Sequence, residues 1–262
     1  MIPKIIHYCW FGRNPMPELA KRCIKSWKKY CPDYEIIQWN EDNYDISAAP
    51  LYVRQAYEAK KWAFVTDYVR LHVVYEHGGI YMDTDVELKK SLTSLLRYNA
   101  YFGFEDGMHI ATGLGFGAVQ GHPILKEIMD DYEGIPFLRE DGSYDCETCP
   151  SRNTKVILRH GLQQDNTKQI LDGGILILPS VYLCPISFFD GSYTRSKETI
   201  SIHWFSASWY NQNQHIERMK SLKKACRKRF VYNIVHLPNR LLCGMMGKDN
   251  YEALKKMLKR GE

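Results

Sequence analysis

The 262-residue chain lacks several features that would place it in a special class of protein. It has no run of eighteen apolar residues, which argues against a membrane-spanning helix. The start, Met1-Ile2-Pro3-Lys4, lacks the basic and then apolar leader of a secretory signal, so we expect none. Internal repeats and low-complexity segments are missing as well. The net charge of +5 is modest, and it suits an anionic ligand or membrane surface without requiring nucleic acid.

The eight cysteines also lack a clear pairing or metal-binding pattern. In a chain of this length without a signal, they indicate reduced thiols in a cytoplasmic protein. Cys146 and Cys149 form a lone C-x-x-C, but a zinc site would need a second pair or histidines at ligand spacing. We therefore do not favour zinc at these two residues.

What the chain does have is an alternation of strand-like and helix-like segments. The strand-like segments are 5–10, 34–39, the stretch after Gly79, 100–104, 114–119, 175–178 and 199–202; the helix-like segments are 17–30, 53–76, 122–132 and 153–160; residues 136–151 have the composition of a loop. Such alternation predicts an α/β sandwich with a mainly parallel sheet. The longest helical signal, 53–76, should be largely buried and should end at Gly78 and Gly79.

The most informative stretch is Gly78-Gly79-Ile80-Tyr81-Met82-Asp83-Thr84-Asp85. If its apolar part is a strand, a period of two sends Asp83 and Asp85 to the same side. Two carboxylates on one side form half of a site for Mg²⁺ or Mn²⁺, and phosphate oxygens usually complete such a site. The pattern therefore predicts a site for a metal ion and a diphosphate, although a D-x-D at a strand end is also common without one.

A charged pair, Asp67 and Arg70, precedes this motif in the long helical segment. A spacing of three places both side chains on one helix face. They could form a surface salt bridge, but their neighbours are too apolar for a solvated face, and a buried Asp and Arg need partners. A carboxylate acceptor beside a guanidinium donor suits the hydroxyls of a sugar.

Two further candidates lie near the ends of the first and last strands. Trp10 is either a core residue or a flat platform for a nucleobase. His203 is either a satisfied core residue or a metal ligand, and the hydroxyls and Trp209 that follow it could donate to a diphosphate.

The tail from His215 onward differs from the rest of the chain. It carries a dense run of basic residues, and apolar residues recur there at helical spacing. Such a helix either lies on an anionic membrane or packs on the domain with a solvated basic face. We expect a catalytic domain over residues 1–212 and a basic amphipathic helical tail over 213–262.

Together these residues resemble the family-32 glycosyltransferases, which carry the DXD sugar-binding signature. The shared features are I-H-x-x-W-F-G near the N-terminus, D-x-x-R in a helix, G-G-x-Y-x-D-x-D, and a late H-x-x-x-x-S-W. The group includes bacterial capsular-polysaccharide transferases and fungal initiating mannosyltransferases, and clostridial glucosylating toxins are more distant relatives. The resemblance implies a GT-A fold, a nucleotide-diphospho-sugar donor and Mn²⁺ or Mg²⁺.

Roles for individual residues follow from the same resemblance. Asp85 would ligate the metal, Asp83 would assist it and touch the ribose or sugar, and His203 would stand at a late ligand position. The other donor-binding residues would be Trp10 at the base, His7, Asp67 and Arg70 at the sugar, and Ser206, Ser208 and Trp209 at the diphosphate. Relatives often carry Asn in the segment matching residues 111–114, and this chain has none there.

The resemblance further implies a retaining hexosyltransferase, with UDP favoured over GDP as the nucleotide. The expected acceptor is a glycan hydroxyl, carried on a lipid at the inner face of a bacterial cytoplasmic membrane in capsule or surface polysaccharide synthesis. Two alternatives stay open: an effector or toxin-type transferase that glycosylates a protein, and a haloacid-dehalogenase-type phosphatase, whose D-x-D-x-[TV] signature Asp83-Thr84-Asp85-Val86 also fits.

Overall fold

The computed structural model describes residues 1–206, 212–235 and 247–252, with backbone only for 229–235. The chain divides into two compact units, Met1–Phe188 with Tyr193–Tyr210, and Phe189–Ser192 with Asn211–Glu262. The first unit contains both sheets, and the second contains one long helix. The catalytic domain over 1–212 and the membrane-associated tail are functional assignments, and they stay predictions.

The described strands and helices alternate along the first unit. The strands are β1 (Ile5–Cys9), β2 (Glu35–Trp39), β3 (Gly79–Tyr81), β4 (Val86–Leu88), β5 (Ala100–Gly103), β6 (Phe116–Ala118), β7 (Gln169–Leu171), β8 (Ile175–Leu178) and β9 (Ser201–His203). The α-helices are α1 (Glu18–Tyr30), α2 (Leu51–Glu58), α3 (Trp62–His77), α4 (Pro123–Asp130), α5 (Cys149–Leu158), α6 (Ser180–Leu183) and, in the second unit, α7 (Gln212–Val235).

Seven strands form a central sheet in the order β2-β1-β3-β6-β5-β8-β7, and β4 pairs with β9 in a small second sheet. In the central sheet β1, β2, β3, β5 and β8 run in one direction, while β6 and β7 run in the other. The predicted α/β architecture with a mainly parallel sheet is therefore confirmed. The parallel strands bring their carboxyl ends to one edge of the sheet, where ligands bind in open α/β folds.

The central sheet is covered on both faces. Side chains of α2, α3, α4 and α5 pack on one face, and those of α1, β4 and α6 pack on the other. Trp27 of α1 is fully buried, and its indole N–H donates to the carbonyl of Val86 at 2.7 Å. This contact holds the backbone immediately after Asp85.

The sequence analysis predicted a single helix over 53–76, but the structure has two helices there, α2 and α3. The chain leaves α2 after Glu58 and enters α3 at Trp62, because Lys60 adopts a left-handed backbone with φ of 56°. A residue in that conformation cannot continue a right-handed helix. The break gives α3 its own start and aims Asp67 and Arg70 independently of α2.

The predicted end of α3 is confirmed, since Gly78 is its C-terminal cap and its φ is 64°. Within the described ranges, none of the helices combines the length and apolar character that crossing a bilayer demands.

Candidate active site

The two carboxylates of the D-x-D lie in a turn and not on a strand, which corrects the strand interpretation. β3 ends at Tyr81, β4 begins at Val86, and the N–H of Val86 donates to the carbonyl of Asp83 at 3.0 Å. The turn carries the chain from the central sheet to the small sheet. The carboxylates still approach each other, but the turn brings them together and strand periodicity does not.

The small sheet places His203 beside this turn. β4 and β9 are antiparallel, and Val86 pairs with His203. His203 Nε2 lies 3.2 Å from Asp85 Oδ1, while the N–H of Ser206 donates to Asp85 Oδ2 at 2.7 Å. Both Asp85 and His203 are buried. The register of two short strands thus joins residues 118 positions apart in sequence (203 minus 85).

Electrostatics makes Asp85 and His203 an ion pair. Burial alone would raise the pKa of Asp85, but the charge of His203 and hydrogen bonds from His203 and Ser206 hold that pKa well below its usual range. Burial alone would lower the pKa of His203, but Asp85 and Cys184 raise it well above the ordinary value. Each charge therefore stabilises the other inside the protein.

Asp67, Arg70 and Asp83 form a second charged group at the same place. Arg70 Nη2 lies 2.9 Å from Asp67 Oδ1 and 3.5 Å from Asp83 Oδ1. Arg70 is buried, and its Nε also donates to the carbonyl of Thr66 at 2.9 Å. Burial raises the pKa of Asp67 to about 6 and also raises that of Asp83, although Arg70 opposes both shifts. One guanidinium thus serves two carboxylates.

Asp83 has two further close neighbours that the sequence analysis did not assign. The hydroxyl of Tyr81 donates to Asp83 Oδ1 at 2.9 Å. Gly113 accepts from the N–H of Asp83 at 3.3 Å, and a Cβ at Gly113 would lie 2.5 Å from Asp83 Oδ2. Tyr81 could have been found from its place inside G-G-x-Y-x-D-x-D. Gly113 lies in the segment 111–114 that the family resemblance singled out, but nothing in the sequence shows its contact with Asp83, because that contact is purely tertiary.

The residues present fit a divalent cation. Asp83, Asp85 and His203 each offer one ligand atom, and these atoms lie within 4.8 Å of one another. Among the described residues, this is the only such group of three or more His, Cys, Asp or Glu side chains. Carboxylate oxygens suit Mg²⁺ and Mn²⁺, and a neutral imidazole nitrogen suits transition metals, so a cation bound here would displace the proton of His203. The donor set therefore accommodates Mn²⁺, with Mg²⁺ as the alternative.

With this geometry established, comparison of the sequence with known families shows which family the residues around the site resemble. Residues 17–102 match the family described as "Glycosyltransferase sugar-binding region containing DXD motif". The match covers about a third of the chain, and over these residues the chain is similar to that family. The match spans α1 to β5 and includes the D-x-D and the Asp67–Arg70 pair. The resemblance to family-32 glycosyltransferases is thereby confirmed.

Two proteins named as glycosyltransferases are similar in sequence, and one solved structure is similar over part of the chain. Inositol phosphoceramide mannosyltransferase 3 of Schizosaccharomyces pombe is 32% identical over 140 residues, which cover 52% of this chain and 38% of that protein. An uncharacterized glycosyltransferase of Acanthamoeba polyphaga mimivirus is 24% identical over 202 residues, covering 72% of this chain and 76% of its own. A solved structure entitled "PaToxG Glycosyltransferase" has 20% identity and a TM-score of 0.47, and the match covers 60% of this chain and 68% of that one.

His7, predicted from the family motif to contact the donor, lies inside the protein. It is fully buried, its Nε2 is 2.8 Å from the carbonyl of Gly78, and the indole N–H of Trp39 donates to its Nδ1 at 3.0 Å. Both ring nitrogens are therefore occupied, which leaves none for a ligand. The geometry corrects this assignment: His7 ties β1 to β2 and to the end of α3.

The remaining predicted donor-binding residues differ in what the structure says of them. Trp10 is half-buried just beyond β1, and its indole N–H donates to the carbonyl of Asn14 at 2.7 Å. Ser206 is exposed, and its backbone supports Asp85. Ser208 and Trp209 lie outside the described residues. The roles of Trp10, Ser206, Ser208 and Trp209 in donor binding stay predictions.

The C-x-x-C pair is not arranged as a metal site in the described structure. Cys146 is exposed, whereas Cys149 is buried at the start of α5. Cys149 Sγ lies 3.2 Å from Thr112 Oγ1 and 3.3 Å from Asn153 Nδ2. These contacts make Cys149 a packing residue behind Gly113.

Proposed function

We propose that the chain is a metal-dependent glycosyltransferase that moves a hexose from a UDP-hexose to a hydroxyl of a glycan acceptor. The observation that carries the proposal is the convergence of two groups on the D-x-D turn. Asp83, Asp85 and His203 present ligand atoms within 4.8 Å, and Arg70 links Asp83 to Asp67. The first group suits the cation of a metal–diphosphate, and the second suits the hydroxyls of the attached sugar.

The chain's own residues would bind and orient the donor. Asp83, Asp85 and His203 would hold Mn²⁺ or Mg²⁺, which supplies positive charge against the diphosphate as negative charge grows there. Asp67 would accept hydrogen bonds from sugar hydroxyls. The described hydrogen bonds and ion pairs of Arg70 use Nε and Nη2, so Nη1, beside the Gly113 backbone, would donate to the sugar.

In the reaction the bond between the anomeric carbon and the diphosphate oxygen breaks, and its electron pair leaves with the diphosphate. The acceptor oxygen forms the new bond to that carbon. We propose retention through attack on the same face, in which a leaving diphosphate oxygen takes the acceptor's proton. Trp10 would stack on the uracil, and Ser208 and Trp209 would donate to the diphosphate as charge develops.

The relatives bear on the substrates through their names alone. A mannosyltransferase acting on inositol phosphoceramide transfers mannose to a lipid-bearing acceptor. The sugar of this chain's donor therefore includes mannose among its candidates, and we propose a lipid-linked glycan as the acceptor. We further propose a cytoplasmic protein that contacts the inner membrane face through its basic tail, in bacterial capsule or surface polysaccharide synthesis.

A protein acceptor is the alternative for the same site. Comparison of a lipid-linked glycan with a protein as acceptor would distinguish the two functions. The phosphatase interpretation is dropped, because the D-x-D region matches a glycosyltransferase family.

Isothermal titration of UDP and of GDP, each with and without Mn²⁺, tests the proposal. We expect metal-dependent binding of one nucleotide to the wild type and its loss in Asp85→Asn, which keeps the shape of the side chain. Asp141→Asn, in an exposed loop, is the matched control and should bind normally. If neither nucleotide binds the wild type, the transferase proposal fails. If binding survives in Asp85→Asn, the metal assignment fails.

A further inference from the structure

Glu105 is an acidic residue at the candidate site that the sequence analysis did not assign. It follows β5 on a short loop, and its residue is half-buried. The loop leaves the sheet at the edge where the D-x-D turn also lies, because β5 and β3 run in the same direction. What Glu105 could bind rests on the proposed function of that site.

Hydrogen bonds hold the loop in one place. Phe104 pairs with Ile110 across its base, and the N–H of Glu105 donates to the carbonyl of His109 at 2.8 Å. Asp106 accepts from the N–H groups of Met108 and His109, both at 2.7 Å. The backbone that carries Glu105 is therefore fixed before any ligand arrives.

The loop is also anchored at both ends, to β8 at its start and to the D-x-D turn just past its end. At its start, the N–H of Phe104 donates to the carbonyl of Leu178 on β8 at 2.9 Å. Just past its end, Gly113 accepts the N–H of Asp83. Glu105 thus sits on a structure that is hydrogen-bonded to the D-x-D turn.

The carboxylate of Glu105 is near the candidate metal ligands but is not paired with them. Across the described chain, it makes no hydrogen bond or ion pair, although His203 and Asp83 are among the charges that act on it. Burial, only partly offset by His203, raises the pKa of Glu105. Together with burial, the charge of Glu105 also helps to raise the pKa of the Cys184 thiol, which is hydrogen-bonded to His203. A half-buried carboxylate of this kind is available to a ligand.

The kind of ligand follows from charge. A carboxylate without a cationic partner repels a diphosphate, and Glu105 is not one of the three grouped metal-ligand candidates. It accepts hydrogen bonds from neutral hydroxyls instead, and sugars are rich in them. Either the donor sugar or the acceptor could supply such a hydroxyl.

The order of the strands distinguishes the donor sugar from the acceptor as the partner of Glu105. Along the sheet, Trp10 follows β1, the D-x-D follows β3, and Glu105 follows β5 beyond them. A donor with its base at Trp10 and its diphosphate at Asp85 has its sugar at Asp67 and Arg70. In the sheet, β5 and β1 lie on opposite sides of β3, so Glu105 and Trp10 flank the D-x-D from opposite sides, and Glu105 lies away from the predicted base. We propose that Glu105 accepts a hydrogen bond from a hydroxyl of the acceptor sugar, next to the attacking one, and so positions the acceptor.

Water is the discriminating acceptor, because donor hydrolysis needs no sugar in the acceptor position. The test compares donor hydrolysis with transfer to methyl glycosides of glucose, galactose and mannose, using UDP-hexoses and GDP-mannose with Mn²⁺. The proteins are wild type, Glu105→Ala, Glu105→Gln and the exposed control Glu140→Ala. We expect Glu105→Ala to lower transfer about 10- to 100-fold, as loss of a hydrogen bond to a charged group predicts. Hydrolysis, donor KM and UDP affinity should stay within about twofold, and Glu105→Gln should recover part of the transfer.

Each other outcome overturns the inference. A parallel loss of hydrolysis or UDP affinity would assign Glu105 to the donor or the metal, and unchanged transfer would remove it from the reaction. Hydrolysis without transfer to any glycoside by the wild type would mean that the site does not take a glycan hydroxyl. If the wild type binds neither UDP nor GDP in the titration above, the proposed function itself fails, and this inference fails with it.

Discussion

Arg70 on α3 reaches Asp83 in the D-x-D turn, with Nη2 3.5 Å from the carboxylate oxygen Oδ1. The same nitrogen lies 2.9 Å from Asp67, so one buried cation is shared by two carboxylates. The turn also holds Asp85, which is paired with His203. The carboxylates here exceed the cations that face them, which is a favourable setting for a divalent ion.

The first prediction concerns this shared cation. Arg70→Met keeps much of the side-chain volume but leaves Asp67 and Asp83 without their cation, and removal of one partner of a buried ion pair costs about 3–5 kcal/mol. We expect a loss of stability of this order and no measurable transfer. Urea unfolding and donor turnover are the measurements. Arg159→Met, exposed at the end of α5, should change stability by no more than about 0.5 kcal/mol. A stable and active Arg70→Met would show that the shared cation has no role.

The second prediction tests how closely the backbone approaches Asp83. In Gly113→Ala, the new Cβ would lie 2.5 Å from Asp83 Oδ2 and 3.0 Å from Arg70 Nη1, so the carboxylate must move. Because Asp83 can rotate, the cost in stability should be small, about 1 kcal/mol, whereas turnover should fall at least about tenfold. Thermal unfolding and kcat/KM measure the two effects.

Gly107→Ala is the matched control, since a Cβ there meets nothing within 4 Å. It lies on the neighbouring loop and should leave turnover unchanged. Equal turnover by both variants would show that the position of Asp83 tolerates the shift.

The parts of the fold that follow local periodicity could be predicted from the sequence. The alternation of strands and helices gave the α/β class, and the paired glycines marked the end of α3, because these signals depend on neighbouring residues. The break at Lys60 escaped prediction, since the apolar spacing continues through it and only the backbone conformation interrupts the helix. Local pattern cannot show where a chain enters the left-handed region without a glycine.

The site residues divide in the same way, into those that local sequence predicts and those that only the tertiary structure brings to the site. Asp83, Asp85, Asp67 and Arg70 could be chosen from residue type and spacing. The burial of His7 could not, because it depends on the indole of Trp39, which reaches it from another strand. Glu105 was missed for the same reason: the parallel direction of β3 and β5 brings it to the site, and no local motif records that direction.

A third prediction tests the basic tail. The described part of α7 exposes Lys220, Lys223 and Lys224, and it also leaves Ile216 and Met219 about half exposed, at 47% and 53%. Each lysine near an anionic surface contributes about 1 kcal/mol, so replacing all three with Ser should weaken binding to phosphatidylserine vesicles roughly 100-fold. Co-sedimentation with vesicles at low and high salt is the measurement.

Helix α1 provides the matched control, because Lys21, Lys25 and Lys28 are also exposed and basic. Their replacement with Ser should leave vesicle binding nearly unchanged. If the α1 variant loses binding and the α7 variant does not, the membrane contact belongs to α1 and the tail assignment is wrong.

The last prediction concerns the pH dependence of stability that arises from His7. Burial, with a smaller effect of His77, lowers the pKa of His7 to about 4, although its bond to Gly78 opposes the shift. In the unfolded chain His7 takes up a proton near pH 6.5, whereas in the folded protein it takes one up only near pH 4. Stability contributed by neutral His7 is therefore present above pH 6.5 and is lost as the pH falls through this window, by about 3 kcal/mol in all.

The comparison with His7→Gln isolates this effect. The variant is expected to be less stable than the wild type at pH 7, because it loses the ring's bonds to Gly78 and Trp39. At pH 4.5 the difference should shrink or reverse by about 2–3 kcal/mol, since only the wild type pays for keeping the ring neutral. Asp67, with its pKa raised to about 6, acts in the opposite direction but equally in both proteins, so it cancels. Urea unfolding at the two pH values, with His160→Gln as the control, measures the change. A difference that stays constant with pH would show that His7 takes up its proton in the folded protein as readily as in the unfolded chain.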